Sequence, residues 1–300
     1  MNKILIVGPS SQILGVRIAK ELGIDYINTE FKTFPDGENY IRINVEDDNL
    51  IVGKEVIIVH STGPSTSGNQ NARIFELFMI LDSVKRMKAK KIIVIIPYLA
   101  YTRQDKIFRS GESIFGDLII RLIDSMGIDE LYVVDIHAPK ILEDTFCRTA
   151  NIDSMKVLAE YIKSLGAKEI VVVAPDKGAV DRSKAFAKYF GEDVHVDFFE
   201  KHRDVKTGEI TMSGKLNLKD KDVVISDDII ATGGTMATAI KLSKESGANR
   251  VFAVATHALL LQNAKYRILN AGADEIIGTD SIDNEVAKVS LAKTIANLLK

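Results

Sequence analysis

The 300-residue sequence has one cysteine, a nearly balanced charge and no long apolar run. The single Cys147 cannot form an intramolecular disulfide, so we expect a reducing, cytoplasmic location. A formal net charge of −2 gives no general basic field for binding nucleic acid. No apolar run approaches the roughly 18 residues of a membrane-spanning helix, so no membrane partner is expected. The strand-like run Ile4–Val7 begins three residues after Met1, a pattern unlike a signal peptide.

Short apolar runs alternate with segments of helical periodicity along the chain. Seven apolar runs are typical of buried strands: Ile4–Val7, Val56–Val59, Ile92–Ile96, Leu131–Val134, Ile170–Val173, Val223–Ile225 and Val251–Ala255. Five amphipathic segments predict helices: Ala72–Arg86, Phe115–Met126, Met155–Leu165, Val180–Tyr189 and Met236–Glu245. This alternation favours α/β architecture, with mainly parallel sheets flanked by helices and with ligands at the carboxyl ends of the strands.

The length is an argument for two domains, and the two halves of the chain weakly repeat each other. In each half a strand-like run ends at a proline, Pro97 or Pro175, and a polar loop follows. We therefore expect an N-terminal domain over residues 1–149 and a C-terminal domain over residues 150–284. The last helix, at about residues 285–300, is expected to pack back onto the N-terminal domain.

The most informative segment is residues 223–235, where an apolar run ends in the acid pair Asp227 and Asp228. A small turn follows, made of Ala231, Thr232, Gly233, Gly234 and Thr235. Backbone N–H groups at a helix start, with no bulky side chains around them, make a phosphate site. Two carboxylates directly before it can bind the hydroxyls of a sugar whose phosphate sits in the turn. The segment therefore predicts a site for a phosphorylated sugar; the alternative is an ordinary turn with solvated acids.

Other polar segments carry candidate site residues. Residues 34–38, Phe-Pro-Asp-Gly-Glu, are typical of a turn between two strands. Arg103 offers a fork of donors suited to phosphate oxygens, and Gln104 offers a neutral pair. His137 and Asp176 each follow a predicted strand, and Asp176 is the better magnesium ligand because Mg²⁺ prefers oxygen. Taken singly, each segment also fits a surface turn or a solvated loop.

Together these motifs resemble the ribose-phosphate pyrophosphokinase family, also called phosphoribosyl pyrophosphate (PRPP) synthetases. The acid pair followed by Thr-Gly-Gly-Thr is similar to the family's ribose-phosphate loop. Phe-x-Asp-Gly-Glu, Tyr-x-Arg-Gln-Asp, Asp-Ile-His-Ala and Lys-x-Arg occur in the family's order. The resemblance covers nearly the whole chain, from Gly8 to Ile282. It implies two phosphoribosyltransferase-like domains.

The resemblance also implies a role for each candidate residue. The implied catalytic residues are Lys201 and Arg203. The implied ATP-binding residues are Phe34, Asp36, Gly37, Glu38, Arg103, Gln104 and His137. Ribose 5-phosphate would be held by Arg203, Asp227, Asp228, Ala231, Thr232, Gly233, Gly234 and Thr235. A pyrophosphate loop is implied at Asp176, Lys177 and Gly178, and Mg²⁺ ligands at His137 and Asp176.

The implied reaction is the Mg²⁺-dependent transfer of pyrophosphate from ATP to D-ribose 5-phosphate. Its products are AMP and 5-phospho-α-D-ribose 1-diphosphate. In the family the Phe34 loop reaches a neighbouring subunit's site, which implies self-association as a dimer or larger oligomer. Ala231 departs from the Asp of many members, so no carboxylate can act as a base there.

Two alternatives stay open at this point. A phosphoribosyltransferase would consume PRPP, but it has no use for the nucleotide elements at residues 34–38 and 103–104. A non-catalytic regulatory relative of the synthetase would be expected to lose the lysine and the metal residues, all of which are present.

Overall fold

The computed structural model describes residues 2–65, 68–203, 210–213 and 216–300. For residues 200–203 and 210–213 only the backbone, which forms two strands, is described. The chain divides into two compact units. Unit 1 comprises Met1–Asp153, Asp280–Asn284 and Ser290–Lys300. Unit 2 comprises Ser154–Thr279 and Glu285–Val289.

Strands and helices alternate through both units. The strands are β1 (Lys3–Val7), β2 (Tyr26–Thr33), β3 (Asn39–Ile43), β4 (Glu55–Val59), β5 (Lys91–Ile96), β6 (Glu130–Val134), β7 (Arg148–Ile152), β8 (Val171–Ala174), β9 (Val196–Phe198), β10 (Glu200–Arg203), β11 (Ile210–Ser213), β12 (Asp222–Ile230), β13 (Arg250–Ala258), β14 (Glu275–Thr279) and β15 (Ala287–Val289). The helices are α1 (Gln12–Leu22), α2 (Gln70–Arg86), α3 (Phe115–Ser125), α4 (Met155–Ser164), α5 (Val180–Ala187), α6 (Gly234–Glu245), α7 (Ala264–Asn270) and α8 (Ala292–Leu299).

Unit 1 is built on a seven-stranded sheet in the order β3-β2-β1-β4-β5-β6-β7. All neighbouring strands are parallel except β2 and β3, which form an antiparallel hairpin. The central strands are continuous apolar runs because helices cover both faces of such a sheet. Leu5 on β1 and its partner Ile57 on β4 are both 0% exposed.

The boundaries of unit 1 differ from the expected division of the chain. The unit ends at Asp153 rather than near residue 149, because β7 pairs with β6 and completes the sheet. Residues 280–284, expected in the C-terminal domain, belong to unit 1. Asp280 holds them there: it pairs with Arg17 at 3.0 Å and accepts a hydrogen bond from the Leu291 N–H at 2.8 Å.

Unit 2 contains a six-stranded sheet in the order β15-β14-β13-β12-β8-β9, in which every neighbouring pair is parallel. The hairpin of β10 and β11 forms a separate two-stranded sheet. The mainly parallel α/β architecture predicted from the sequence is therefore confirmed in both units. None of the helices within the described ranges is long and apolar enough to cross a membrane.

Two element boundaries near the acid pair correct the sequence prediction. β12 does not stop at Ile225 but continues through Asp227 and Asp228 to Ile230. The strand was predicted too short because it was identified from its apolar run, and its later residues are partly polar. Helix α6 begins at Gly234 rather than Met236, and its N-cap residue, Gly233, has a left-handed φ of 71°, which glycine adopts without a steric penalty.

Candidate functional site

The acid pair lies inside β12, and neither acid is fully exposed. Asp228 is only 6% exposed, and its Oδ1 accepts the N–H of Ile229 at 2.9 Å. Arg182 Nη2, from α5, lies 3.7 Å from Asp228 Oδ2. Asp227 is partly exposed, and its Oδ1 accepts the N–H of Asp228 at 2.9 Å. The interpretation of this segment as a turn with solvated acids therefore does not hold.

Negative charge accumulates at this end of the sheet. Burial raises the pKa of Asp227 well above its usual range, and the neighbouring Asp228 and then Asp176 raise it further. β8 and β12 are adjacent parallel strands, so Asp176, two residues after β8, emerges at the same edge of the sheet as the acid pair. Crowded carboxylates of this kind favour a bound cation or donating hydroxyl groups.

We expect the substitution Asp227→Asn to stabilise the free protein at neutral and higher pH. The folded-state pKa of Asp227 is raised, so folding loses stability as pH rises through the ordinary carboxyl pKa towards the raised one. Asparagine cannot ionise and avoids this loss. Thermal unfolding should give a Tm a few degrees above wild type at about pH 8, since 1 kcal/mol shifts Tm by about 2–4 °C. The difference should shrink at about pH 4; a difference independent of pH would contradict the assignment.

The 231–235 loop, Ala231 to Thr235, follows β12 and includes the first two residues of α6. Gly233 is buried in the left-handed conformation, and a Cβ there would lie 3.0 Å from Ile268 Cδ1. Thr232 and Gly234 are exposed. The loop thus offers backbone N–H groups at the start of a 12-residue helix, the geometry that favours an anion.

The segment after β8 places a second set of polar groups in unit 2. Asp176 caps the short 3-10 helix Lys177–Ala179, and its Oδ1 accepts the N–H of Gly178 at 3.0 Å. Lys177 and Gly178 are exposed. Asp176 and the acid pair are therefore brought together, whereas His137 belongs to unit 1.

In unit 1 the 34–38 turn joins β2 to β3, as predicted. The Phe34 N–H donates to Glu38 O at 2.7 Å, and Gly37 has a φ of 96°, which favours glycine. The Glu38 N–H donates to Asp36 Oδ1 at 3.1 Å. Phe34 is 40% exposed, with Lys32 Nζ 5.0 Å from the centroid of its ring. An exposed ring beside two acids suits stacking against a flat, donor-bearing ligand.

Arg103 and Gln104 lie exposed in the loop after β5. Just before them, Tyr101 has a left-handed φ of 70°, a strained conformation for a residue with a Cβ. Buried Thr62 holds the start of this loop: its N–H donates to Tyr98 O at 2.8 Å, and its Oγ1 accepts the N–H of Ala100 at 2.7 Å.

Gly116, in α3, packs against the loop that carries Arg103 and Gln104. The Gly116 N–H donates to Gln104 O at 3.1 Å, and a Cβ at this position would lie 3.2 Å from Tyr101 O. The sequence analysis missed Thr62 and Gly116. Neither belongs to a motif. Each contacts the loop after β5 that carries Arg103, here called the Arg103 loop, through hydrogen bonds or close packing between residues far apart in sequence.

We expect Thr62→Val to weaken ATP binding, because it removes the acceptor of the Ala100 N–H while keeping the side chain's shape. A buried donor that loses its partner costs about 1–3 kcal/mol, so the KM for ATP should rise on the order of 10-fold. Thr62→Ser keeps the hydroxyl and is the matched control. Equal KM values for ATP in the valine and serine variants would show that the hydroxyl does not hold the loop.

The remaining predicted residues lie at strand ends or in the hairpin. His137 is exposed and follows β6. Lys201 and Arg203 lie on β10, where Lys201 is opposite Met212, but their side chains fall outside the described residues. Over the described ranges, no three His, Cys, Asp or Glu side chains form a group that could hold a metal ion. Mg²⁺ commonly binds through one or two carboxylates plus substrate phosphates, so it does not need such a group.

Two family models match the chain, one in each half. A family model for the N-terminal domain of ribose phosphate pyrophosphokinase matches residues 3–127. A phosphoribosyl transferase domain model matches residues 148–293.

Similarity to individual proteins extends over the full chain. The chain is 36% identical to a ribose-phosphate pyrophosphokinase of Methanobrevibacter smithii, covering 99% of both chains. It is 38% identical to one of Sulfolobus acidocaldarius, covering 96% of both. The crystal structure of phosphoribosylpyrophosphate synthetase from Mycobacterium smegmatis matches with a TM-score of 0.86 at 30% identity, covering 100% of this chain and 98% of that one.

Proposed function

The chain belongs to the ribose-phosphate pyrophosphokinase family, and we propose that it transfers the pyrophosphoryl group of ATP to ribose 5-phosphate. The observation that carries this proposal lies in unit 2. There the acid pair Asp227 and Asp228 lies in the last part of the buried strand β12, which leads into a loop rich in N–H groups. A phosphoribosyltransferase alone would not explain the match of residues 3–127 to the N-terminal domain of ribose phosphate pyrophosphokinase.

The 231–235 loop would bind the 5-phosphate, and the acid pair would accept hydrogen bonds from the ribose hydroxyls. The anomeric hydroxyl oxygen attacks the β-phosphorus of ATP and forms the new P–O bond. The bond from the β-phosphorus to the bridging oxygen of the α-phosphate breaks, AMP leaves with that oxygen, and the hydroxyl proton passes to solvent. Such a transfer requires in-line positioning and stabilisation of negative charge.

The donor set of unit 2 fits Mg²⁺. Asp176 supplies carboxylate oxygens close enough to raise the pKa of Asp227, and a divalent cation would relieve this crowding. Asp176 would hold the ion, and His137 would contact it directly or through water. When bound, Mg²⁺ would offset the negative charge of the phosphate oxygens. Activity should therefore be lost on chelation with EDTA and return on addition of Mg²⁺.

Nucleotide binding is assigned to unit 1. Phe34 would stack on adenine while Asp36, Gly37 and Glu38 would bind its edge, and Arg103 and Gln104 would contact the phosphates. Lys177 and Gly178 would add contacts to the pyrophosphate group. Lys201 and Arg203 would stabilise the charge that develops during transfer. The chain would self-associate, so that the Phe34 loop of one subunit serves the site of its neighbour.

The substitution Asp228→Asn tests the sugar assignment. It removes the charge of a residue that is 6% exposed at the proposed ribose site, so ribose 5-phosphate should bind on the order of 10-fold more weakly. ATP binding should stay nearly unchanged. Asp181→Asn, an exposed acid on α5, is the matched control. Isothermal titration with each substrate distinguishes the outcomes: equal weakening of both substrates would indicate a general structural role and contradict the assignment.

A further inference from the structure

The segment that follows β13 carries backbone strain next to the 231–235 loop. Leu260, Gln262 and Asn263 adopt left-handed φ angles of 51°, 52° and 62°. This conformation is unfavourable for residues with a Cβ, and it persists only where the surrounding structure imposes it. The contacts of this 259–267 segment, Leu259 to Arg267, show what the strain maintains.

Three successive carbonyl oxygens, at the end of β12 and the start of the 231–235 loop, accept hydrogen bonds from the 259–267 segment. The Leu260 N–H donates to Ile230 O at 3.1 Å, and the Leu261 N–H donates to Ala231 O at 2.9 Å. The third oxygen, that of Thr232 itself, accepts a hydrogen bond from Arg267 Nη1.

These bonds determine which way the loop's peptide groups face. In a planar trans peptide the C=O and the next residue's N–H point in opposite directions. Carbonyls that face the 259–267 segment therefore turn the N–H groups of Ala231, Thr232 and Gly233 to the other side. A row of N–H groups without intervening carbonyls is the arrangement that binds an anion.

Arg267 is the one side chain among these three donors. Its Nη2 also donates to the carbonyl of strained Gln262 at 3.4 Å, so the guanidinium joins the 231–235 loop to the 259–267 segment. Ile268, the next residue, packs against Gly233, where a Cβ would lie 3.0 Å from it. The exposed guanidinium adds a positive charge beside the loop.

We propose that Arg267 is a positioning residue for ribose 5-phosphate: it holds the Thr232 carbonyl so that the loop's N–H groups face the 5-phosphate. This inference rests on the proposed function, and it adds to that function a residue outside all of the sequence motifs. A positioning role through the loop affects binding of the phosphorylated sugar and leaves the nucleotide untouched.

Arg267→Ala in the full-length protein tests the inference. The Kd and KM for ribose 5-phosphate should rise about tenfold, while kcat and the KM for ATP should change by less than about twofold. Arg267→Lys keeps the charge and one donor and should lie between the alanine variant and wild type. Lys265→Ala is the matched control. It removes the same charge from the same helix, but Lys265 pairs with Glu285 at 2.6 Å, so its affinity for ribose 5-phosphate should equal that of wild type.

Two results would overturn the proposal. The first is an equal ribose 5-phosphate affinity in Arg267→Ala and Lys265→Ala. The second is a parallel loss of ATP and ribose 5-phosphate affinity together with a lower Tm, which indicates a structural role. Titration with ribose 5-phosphate in the absence of ATP measures the effect of Arg267 on sugar binding without any catalysis. A wild-type protein that binds ribose 5-phosphate but forms no AMP would overturn the proposed reaction and leave the Arg267 result standing.

Discussion

Replacing Lys201 by alanine should lower kcat by on the order of 100-fold or more, while the KM for ATP stays nearly constant. The family resemblance assigns to Lys201 a contact with the transferring pyrophosphoryl group, where negative charge develops. A cation that acts mainly in the transition state contributes to kcat rather than to ground-state binding. Steady-state kinetics with saturating ribose 5-phosphate and varied ATP measures both quantities.

The control for this variant removes a lysine close in sequence but outside the proposed site. Lys219→Ala alters an exposed side chain near the start of β12, and its kcat should equal that of wild type. A raised KM for ATP with unchanged kcat in Lys201→Ala would show that the lysine binds substrate without stabilising the transition state.

Mixed oligomers of two inactive variants should recover activity. One parent carries Phe34→Ala with Asp36→Ala, and the other carries Lys201→Ala. If the Phe34 loop serves the neighbouring subunit's site, each mixed dimer has one site with both defects and one with none. Random exchange at equal amounts makes half of the dimers mixed, so roughly a quarter of the wild-type activity should return.

The matched control mixes Lys201→Ala with Arg203→Ala, two defects in the same hairpin. No site then receives an intact hairpin, so this mixture should stay as inactive as its parents. Recovery in neither mixture, or a fully active monomer in sedimentation, would contradict a site shared between subunits.

The sequence pattern predicted the central strands closely because buried parallel strands are continuous apolar runs. β1, β4, β5 and β6 end where predicted, and each begins one residue earlier, at a charged residue that an apolar pattern excludes. β12 was underpredicted for the same reason, since the polar residues Ser226, Asp227 and Asp228 lie in it. Short peripheral strands such as β9 and β15, with three residues each, carry too little pattern to be identified.

Residues that bear the proposed chemistry could be found from the sequence, because they occur in short motifs with a distinct mix of acids, glycines and hydroxyls. Residues that position them could not. Thr62 contacts the Arg103 loop across 36 residues of sequence, and Arg267 contacts Thr232 across 35. Such pairings arise from neighbouring strand ends in the sheet, and no local signal in the chain marks them.

The most direct test is the fate of labelled ATP incubated with ribose 5-phosphate and Mg²⁺. With label on the β-phosphate, we expect the label to move to the sugar product, with one unlabelled AMP formed for each product molecule. Omission of ribose 5-phosphate should stop AMP formation. Labelled ADP as the nucleotide product would mean transfer of the γ-phosphate alone, and no turnover at all would identify a non-catalytic relative; either result would contradict pyrophosphoryl transfer by this chain.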